Sequence, residues 1–334
     1  MKVKYLSILF LLFLSEFANG QVPGMPKILG KSDFPQVFTL SATLVDISSA
    51  NVSVQILNNG QTPVTETGVI WGTSIKDYNT ATTDGTIVTD LSAPVGTFSK
   101  TIGSLSVGLV YYILAYAKNS AGITYGNVIE YQHAIITTAT GKTWLMVNLG
   151  ATAIPVNKDD AAGYGFLYQW GRGSDGHQVV RPVMSGTTPT LSTGDVPNNG
   201  GLFITTEINK GLNWRATAND GLWVGSSGNG TNNPCPVGFR VPTKQEVQAE
   251  ATSWVSTGLG PFGSLKLTAS PFRRSDGVLQ TPTTGRYWTA GGAGVQGSTT
   301  NCLIIYTTTS PFHNNVGNDE ARASGLAVRC IKVY

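Results

Sequence analysis

Short runs of alternating apolar and polar residues recur between Phe34 and His133. Turn-forming stretches such as NNGQTP and TTDG separate them. Because alternation with a period of two places side chains on opposite faces of a strand, these runs predict short antiparallel strands and a β-sandwich. The runs read FTLSATLVDI, NVSVQIL, TETGVIWGTS, GTFSKTIGSL, VYYILAYAKNS and ITYGNVIEYQ.

The run VYYILAYA shows the two faces most clearly. One of its faces should pack the core. A single aromatic residue within a strand is more often core than a ligand platform, so Trp71 is also predicted to be buried. One face carries Tyr111, Ile113, Ala115 and Ala117, and the other carries Tyr112, Leu114 and Tyr116.

After the small, polar segment AIITTATGKT, which we expect to join two domains, the pattern changes. Helical periodicity is confined to one stretch, KQEVQAEATSWV, which has apolar residues at the spacing of a helix face. Thr243, just before this stretch, and Glu246, within its first turn, are predicted to form a capping box. Pro242 prevents the helix from extending towards the N-terminus. We therefore predict one helix that packs on a sheet. Its buried face should carry Val247, Ala251 and Trp254.

The first 20 residues, MKVKYLSILFLLFLSEFANG, have the pattern of a secretory signal peptide. Two lysines precede an apolar run from Leu6 to Leu14, and Ala18 and Gly20 follow at the spacing of a cleavage site. The run is shorter than the roughly 20 residues that span a bilayer, and no later stretch is apolar enough to do so. We expect an exported protein in which 1–20 is removed and 21–33 is a linker.

Composition limits the partners. Only 12% of the 334 residues are charged, against roughly 25% in ordinary soluble domains. Loss of the signal peptide, with two lysines and one glutamate, leaves a formal net charge of +2. Without a basic run interleaved with aromatic residues, nucleic acid is excluded as a partner. The 41% apolar content is enough for two cores, and the 40 glycines favour a mostly β, loop-rich chain.

The stretch GSLSVGLVYYILAYAKNSAGITYGN resembles a fibronectin type III or related immunoglobulin-like repeat, in the version common in secreted Bacteroidetes proteins. The resemblance places Leu105 and Tyr111 as the leucine and the corner tyrosine before a strand. It implies a fibronectin type III-like β-sandwich over 34–138. Such sandwiches serve mostly as spacers or binding modules, so the resemblance specifies fold rather than function.

Five ordered motifs in the second half resemble the Fibrobacter succinogenes major paralogous domain, an exported module of Bacteroidetes and Fibrobacteres. The resemblance implies a C-type lectin-like mixed α/β domain over 139–334, with chain ends that lie close together. The motifs span Trp144–Leu149, Tyr164–Trp170, Cys235–Thr243, Tyr287–Ala290 and Val328–Cys330.

Of the three cysteines, Cys235 lies in the run PCPVGFRVPT, where a nucleophile, a metal ligand or a disulfide partner are the alternatives. A nucleophile needs a nearby base and zinc needs closely spaced ligands, but His133, His177 and His313 are all distant in sequence from a cysteine. The family pattern, together with export, implies a disulfide between Cys235 and Cys330. Cys302 then is a small buried hydrophobe. No metal or other cofactor is expected.

Ligand binding is the remaining chemistry. The Glu-Pro-Asn, Gln-Pro-Asp and Trp-Asn-Asp motifs of calcium-dependent lectins do not occur, so calcium is not expected. Aromatic rings offer a large stacking area for sugars, and polar side chains beside them supply hydrogen bonds. The candidate ligand-binding residues are Trp170, Asp175, His177 and Trp288.

Three functions are compatible with these features. The first is a non-enzymatic exported protein of the cell surface, exterior or periplasm that binds a glycan or a surface protein. The second is a structural subunit of a surface appendage or outer-membrane assembly. The third is an enzyme, because RVPTKQEVQAEA is similar to the Arg-Leu-Pro-Thr-Glu-x-Glu-Trp run of formylglycine-generating enzymes. That family uses a close pair of cysteines late in the chain, which is not evident here, so the first function is predicted.

Overall fold

The computed structural model describes residues 33–74, 87–90, 95–206, 212–223, 230–257, 259–281, 284–291, 299–306 and 314–334. The predicted signal peptide, nearly all of the predicted linker and His313 lie outside these residues. The described chain is mostly β structure with few helices, as predicted.

The N-terminal part is a sandwich of two antiparallel sheets, which we call the N-terminal sandwich. One sheet has the order β1-β2-β5 and the other has the order β4-β3-β6-β7, with β8 on the same edge of β6 as β7. The strands are β1 (Gln36–Leu44), β2 (Ala50–Asn58), β3 (Glu66–Gly72), β4 (Ile87–Asp90), β5 (Gly96–Ile102), β6 (Val110–Asn119), β7 (Gly122–Tyr125) and β8 (Ile129–Gln132).

The core of the sandwich lies between these sheets. Val52, Val54 and Ile56 alternate along β2 and are fully buried. They join a cluster that contains Trp71 and the predicted inner face of β6 from Tyr111 to Ala117, so both predictions are confirmed. On the outer face of β6, Leu114 and Tyr116 are buried as well, whereas Tyr112 is half-buried.

A tyrosine closes one corner of the sandwich. The Tyr111 hydroxyl accepts a hydrogen bond of 2.8 Å from the Ser106 amide, and Leu105 beside it is buried. This is the hydrogen bond to upstream backbone that a corner tyrosine makes in a β-sandwich. It ties the start of β6 to the turn that precedes it.

The remaining described strands and the two α-helices of the described residues form the C-terminal unit. Its main sheets have the orders β14-β21-β10-β9, β11-β20-β15-β16 and β17-β18-β19. The elements are β9 (Ile135–Thr137), β10 (Thr143–Leu145), β11 (Tyr168–Gln169), β12 (Thr187–Thr188), β13 (Phe203–Ile204), β14 (Phe239–Arg240), α1 (Lys244–Thr257), α2 (Gly260–Leu265), β15 (Phe272–Arg273), β16 (Leu279–Gln280), β17 (Thr284–Trp288), β18 (Thr299–Tyr306), β19 (Asn314–Ala321), β20 (Gly325–Leu326) and β21 (Ile331–Lys332).

Helix α1 begins at the predicted capping box. The Thr243 amide donates to Glu246 Oε2 over 2.8 Å, and the Glu246 amide donates to Thr243 Oγ1 over 3.2 Å. These two bonds satisfy amides that a helix start leaves without partners. The helix buries the predicted face, and the residues of that face are Val247, Ala251 and Trp254.

The expected connection AIITTATGKT is an ordered hairpin. Strand β9 pairs with β10, and Trp144 of β10 also pairs with Ile331 of β21. The second strand of the C-terminal unit, β10, therefore lies beside its last strand, β21. The threonines on both sides of the turn explain the hairpin, because β-branched residues favour strands.

The hairpin also packs the two parts of the chain together. The Met146 amide donates to the Ala134 carbonyl over 2.9 Å. Gly108, in the turn before β6, has a φ of +82°, and a Cβ there would lie 3.0 Å from the Leu145 side chain and 3.1 Å from the Phe239 ring. Only a glycine allows this close approach without strain.

Candidate functional site

The predicted disulfide is present. Cys235 and Cys330 are bonded, with their Cα atoms 5.9 Å apart. The bond lies just ahead of β14 and β21, which pair through Arg240 and Ile331. It therefore fastens the entry to α1 onto the last strand. Both sulfur atoms are consumed, which removes Cys235 from the roles of nucleophile and metal ligand. Cys302 is buried within β18.

Trp170 and Trp288 do not present stacking surfaces. Each is only 1% exposed. Trp170 Nε1 donates to the Thr289 carbonyl over 3.0 Å, and Trp288 Nε1 donates to the Tyr168 carbonyl over 2.6 Å. Both rings pack in the core, so neither offers a face on which a sugar could stack as predicted. Burial of a large ring is strongly favourable once its single N–H has an acceptor.

Asp175 and His177 do lie together, but inside the protein. His177 Nδ1 lies 2.6 Å from Asp175 Oδ1. His177 Nε2 accepts a hydrogen bond from the backbone N–H of Gln169 over 2.9 Å. Since Nε2 accepts, the proton of the neutral ring is on Nδ1 and is donated to Asp175. Burial lowers the pKa of His177 to about 4, against the opposing effect of Asp175. The imidazole is neutral at pH 7.

Arg172 completes this cluster. Its Nε and Nη2 atoms lie 3.1 and 2.5 Å from Asp175 Oδ2, and its guanidinium lies 5.6 Å from the centre of the Trp214 ring. Burial alone would raise the pKa of Asp175, but His177 and Arg172 outweigh it and hold the pKa at about 2. Asp175 and His177, which were predicted to bind a ligand, thus stabilise the turn from Arg172 to His177 through their hydrogen bonds.

Several motif residues meet in a second buried network. Arg329 is 2% exposed and donates to Asn148 Oδ1 over 3.1 and 2.8 Å and to the Leu145 carbonyl over 3.1 Å. Burial lowers the pKa of Arg329 to about 10. Asn148 Nδ2 in turn contacts the Tyr287 hydroxyl at 3.3 Å. Residues of the first, fourth and fifth sequence motifs therefore hold one another in the core.

Sequence reasoning missed a pair formed by Arg322 and Asp220. Arg322 is 1% exposed, and its guanidinium carbon lies 4.2 Å from the centre of the Trp170 ring. Its Nη2 atom lies 2.6 Å from Oδ1 of Asp220, which is 56% exposed. The contact lacks hydrogen-bond geometry, so within the described part of the chain Nε and Nη1 of Arg322 have no hydrogen-bond acceptor and Nη2 has only this ion pair.

This pair is the described arrangement best suited to recognising an anionic group. A guanidinium offers five N–H donors in a planar fork that matches a carboxylate. Buried donors without acceptors are rare and call for an explanation. No sequence signal marks Arg322, because the run EARASG has no motif spacing and its stacking partner Trp170 is far away along the chain.

Within the described ranges, no group of three or more His, Cys, Asp and Glu side chains is placed to hold a metal ion. No helix in the described part of the chain is long and apolar enough to cross a bilayer.

Comparison with known proteins assigns no family. No family model and no curated protein matches the sequence. Among solved structures, a myokine structure is 13% identical and the sensor domain of the anti-sigma factor RsgI4 in Pseudobacteroides cellulosolvens is 12% identical. They cover 30% and 31% of this chain and each is matched over 96% of its own length, both with a TM-score of 0.23.

A third similar structure is the sixth fibronectin type III domain of human fibronectin type III domain containing protein 3. It is 22% identical, covers 34% of this chain and 90% of its own, and has a TM-score of 0.18. TM-scores in this range carry no argument about the function of the chain.

Proposed function

We propose that the chain is an exported, non-enzymatic protein of the cell envelope or surface that binds a glycan or a protein. The observation that carries the proposal is the disulfide between Cys235 and Cys330. Disulfides persist in oxidising compartments outside the cytoplasm. The signal-peptide pattern of the first 20 residues favours the same compartment.

The proposed architecture is a fibronectin type III-like sandwich followed by a C-type lectin-like domain of the Fibrobacter succinogenes major paralogous family. Two observations support it. The corner tyrosine and the sheet orders of the N-terminal sandwich are those of an immunoglobulin-like fold. In the C-terminal unit, the pairing of β10 with β21 brings the chain ends together, as the lectin-like resemblance implies.

A binding role is favoured over an enzymatic one by the state of the reactive side chains. Asp175 and His177 bond each other and the surrounding backbone, and Cys235 and Cys330 are joined. A general base must reach the proton that it abstracts, and a nucleophilic cysteine must be a thiolate. These side chains meet neither requirement in the folded protein.

We assign ligand recognition to Arg322 and Asp220, with a carboxylate-bearing ligand such as an acidic glycan or an acidic peptide. Arg322 has donors that lack acceptors, and Asp220 is the exposed group in front of it. A ligand carboxylate would take the place of the Asp220 carboxylate on the guanidinium. It would gain the hydrogen-bond geometry that the internal contact lacks.

Binding is tested with the mature chain on an array that contains neutral glycans, uronate-containing glycans and acidic peptides. We expect retention on carboxylate-bearing ligands, and tighter binding by Asp220→Asn because the internal competitor is lost. Asp276→Asn, which changes another partly exposed acid paired with an arginine, is the matched control. If ligands bind but neither neutralisation of Asp220 nor Arg322→Leu alters binding, the site is wrong although the function stands. No partner from arrays or whole-cell pull-downs would contradict the function.

Location is tested by cell fractionation with protease shaving and by thiol alkylation before and after unfolding. We expect the protein outside the cytoplasm, with Cys235 and Cys330 protected from alkylation unless a reductant is added. A reduced cytoplasmic protein would overturn the proposal. Recovery from envelope extracts only as part of a large complex would favour the structural-subunit alternative.

A further inference from the structure

A small cavity lies beneath helix α1. Its volume is about 20 Å³, which exceeds the roughly 10–15 Å³ that one water molecule needs. An organic ligand would not fit this space. Most of its walls are aromatic or aliphatic, and the side chains that surround it include Trp144, Val247, Glu250, Trp254, Leu303 and Arg329.

Glu250 brings a carboxylate to this cavity, although its side chain is only 1% exposed. Its Oε1 atom accepts hydrogen bonds from the Thr138 and Thr140 hydroxyls over 2.6 and 2.5 Å and from Trp144 Nε1 over 3.0 Å. Its Oε2 atom is buried and has no hydrogen-bond partner in the described ranges of the chain. Oε1 therefore accepts three hydrogen bonds, whereas Oε2 accepts none from the described residues.

Trp254 supplies a complementary group. Its side chain is fully buried, and its Nε1 donor has no acceptor among the residues that the structure describes. Residues four apart on a helix lie on the same face, so Glu250 and Trp254 border the cavity as neighbours. Both residues line the same small cavity, and each has one buried polar atom without a partner among the described residues.

The chemistry of this pair identifies the occupant. It must accept a hydrogen bond from the indole and donate one to the carboxylate. A metal cation or an ammonium ion cannot accept from an N–H, and a dry cavity would leave both groups unpaired. A water molecule meets both requirements and the size limit.

We propose that one internal water bridges Trp254 Nε1 and Glu250 Oε2, and that the hydrated carboxylate is the joint that fixes the β9–β10 turn to helix α1. Thr138 and Thr140 both lie in this turn, which the Thr138 and Lys142 backbones close over 3.0 Å. The hairpin that contains this turn directly follows β8, the last strand of the N-terminal sandwich. Glu250 is thus a positioning residue for the connection between the two parts of the chain.

The water is tested by a crystal structure of the mature chain at a resolution that shows ordered solvent, and by water-to-indole magnetisation transfer in the tryptophan-labelled protein. We expect one ordered water in contact with both atoms, and its loss in Trp254→Phe, which removes the N–H and keeps most of the ring. A dry cavity in the unsubstituted protein overturns the proposal, whether or not the variant folds.

The joint is tested by trypsin cleavage after Lys142, which lies in the turn. We expect Glu250→Gln and the double change Thr138→Val with Thr140→Val to raise the cleavage rate about tenfold, because the turn opens more often when its bonds to the carboxylate are weakened. Gln248→Ala, at an exposed position of the same helix, should leave it unchanged. Equal rates in all variants would show that Glu250 does not fix the turn.

Discussion

Loss of the Cys235–Cys330 disulfide should destabilise the C-terminal unit more than any single substitution considered below. The bond joins residues 95 positions apart. In the chain-entropy model, opening a closed loop of that length raises the entropy of the unfolded state. This lowers the free energy of unfolding by about 4.7 kcal/mol at 25 °C. Since small domains are stable by about 5–15 kcal/mol, this is a large fraction of the total.

The assay is urea unfolding of the mature chain followed by tryptophan fluorescence. Six of the seven tryptophans lie in the C-terminal unit, all of them fully buried, so the signal reports mainly on that unit. The comparison includes the oxidised protein, the same protein reduced while unfolded and then refolded, and Cys235→Ala with Cys330→Ala. Reduction keeps every side-chain atom, so it separates the loss of the cross-link from the loss of packing.

We expect the free energy of unfolding to fall by about 4–5 kcal/mol on reduction and by at least as much in the double variant. The denaturant slope should rise, because an uncross-linked chain exposes more surface when it unfolds. A reductant should not affect the double variant, which is the control. A loss below about 1 kcal/mol, with an unchanged slope, would refute the reasoning.

Three further predictions concern the cap, the corner and a buried histidine. Thr243→Ala should lower the free energy of unfolding by about 1 kcal/mol in urea, while Thr243→Ser should preserve most of it; equal losses would refute the cap. Tyr111→Phe should lower the free energy of unfolding by about 0.5–1.5 kcal/mol, because it removes the hydrogen bond from the amide of the exposed Ser106; Tyr112→Phe is the control, and an equal loss there would argue against the corner. His177 has a pKa of about 4 in the folded protein, so its contribution to stability is fully present above its ordinary value of 6.5 and is lost as the pH falls from 6.5 through 4. The urea midpoint should therefore fall less between pH 7.5 and 5 in His177→Gln than in the unsubstituted protein, and parallel profiles would contradict this assignment.

Features set by neighbouring residues could be predicted from the sequence. Alternation predicted the strands of the N-terminal sandwich, and helix α1 begins at the capping box formed by Thr243 and Glu246. Strand formation, turns and caps depend on side chains within a few positions of one another, so periodicity and residue type report on them directly. The resemblance added the pairing of Cys235 with Cys330.

Tertiary contacts decided the candidate site. Trp170 and Trp288 have side chains suited to stacking, but their N–H groups donate to the carbonyls of Thr289 and Tyr168 inside the core. No sequence signal marked the Arg322–Asp220 pair or the hydrogen bonds of the Glu250 carboxylate. Each arrangement joins segments that are distant along the chain.

The sequence by itself thus determined the β character of the chain and the amphipathic helix α1 with its start. The tertiary structure decided which aromatic and charged residues are core and which are available to a partner. The physical reason is that burial of a ring or a charge depends on which segment packs over it, and that packing joins residues whose local patterns are independent of each other.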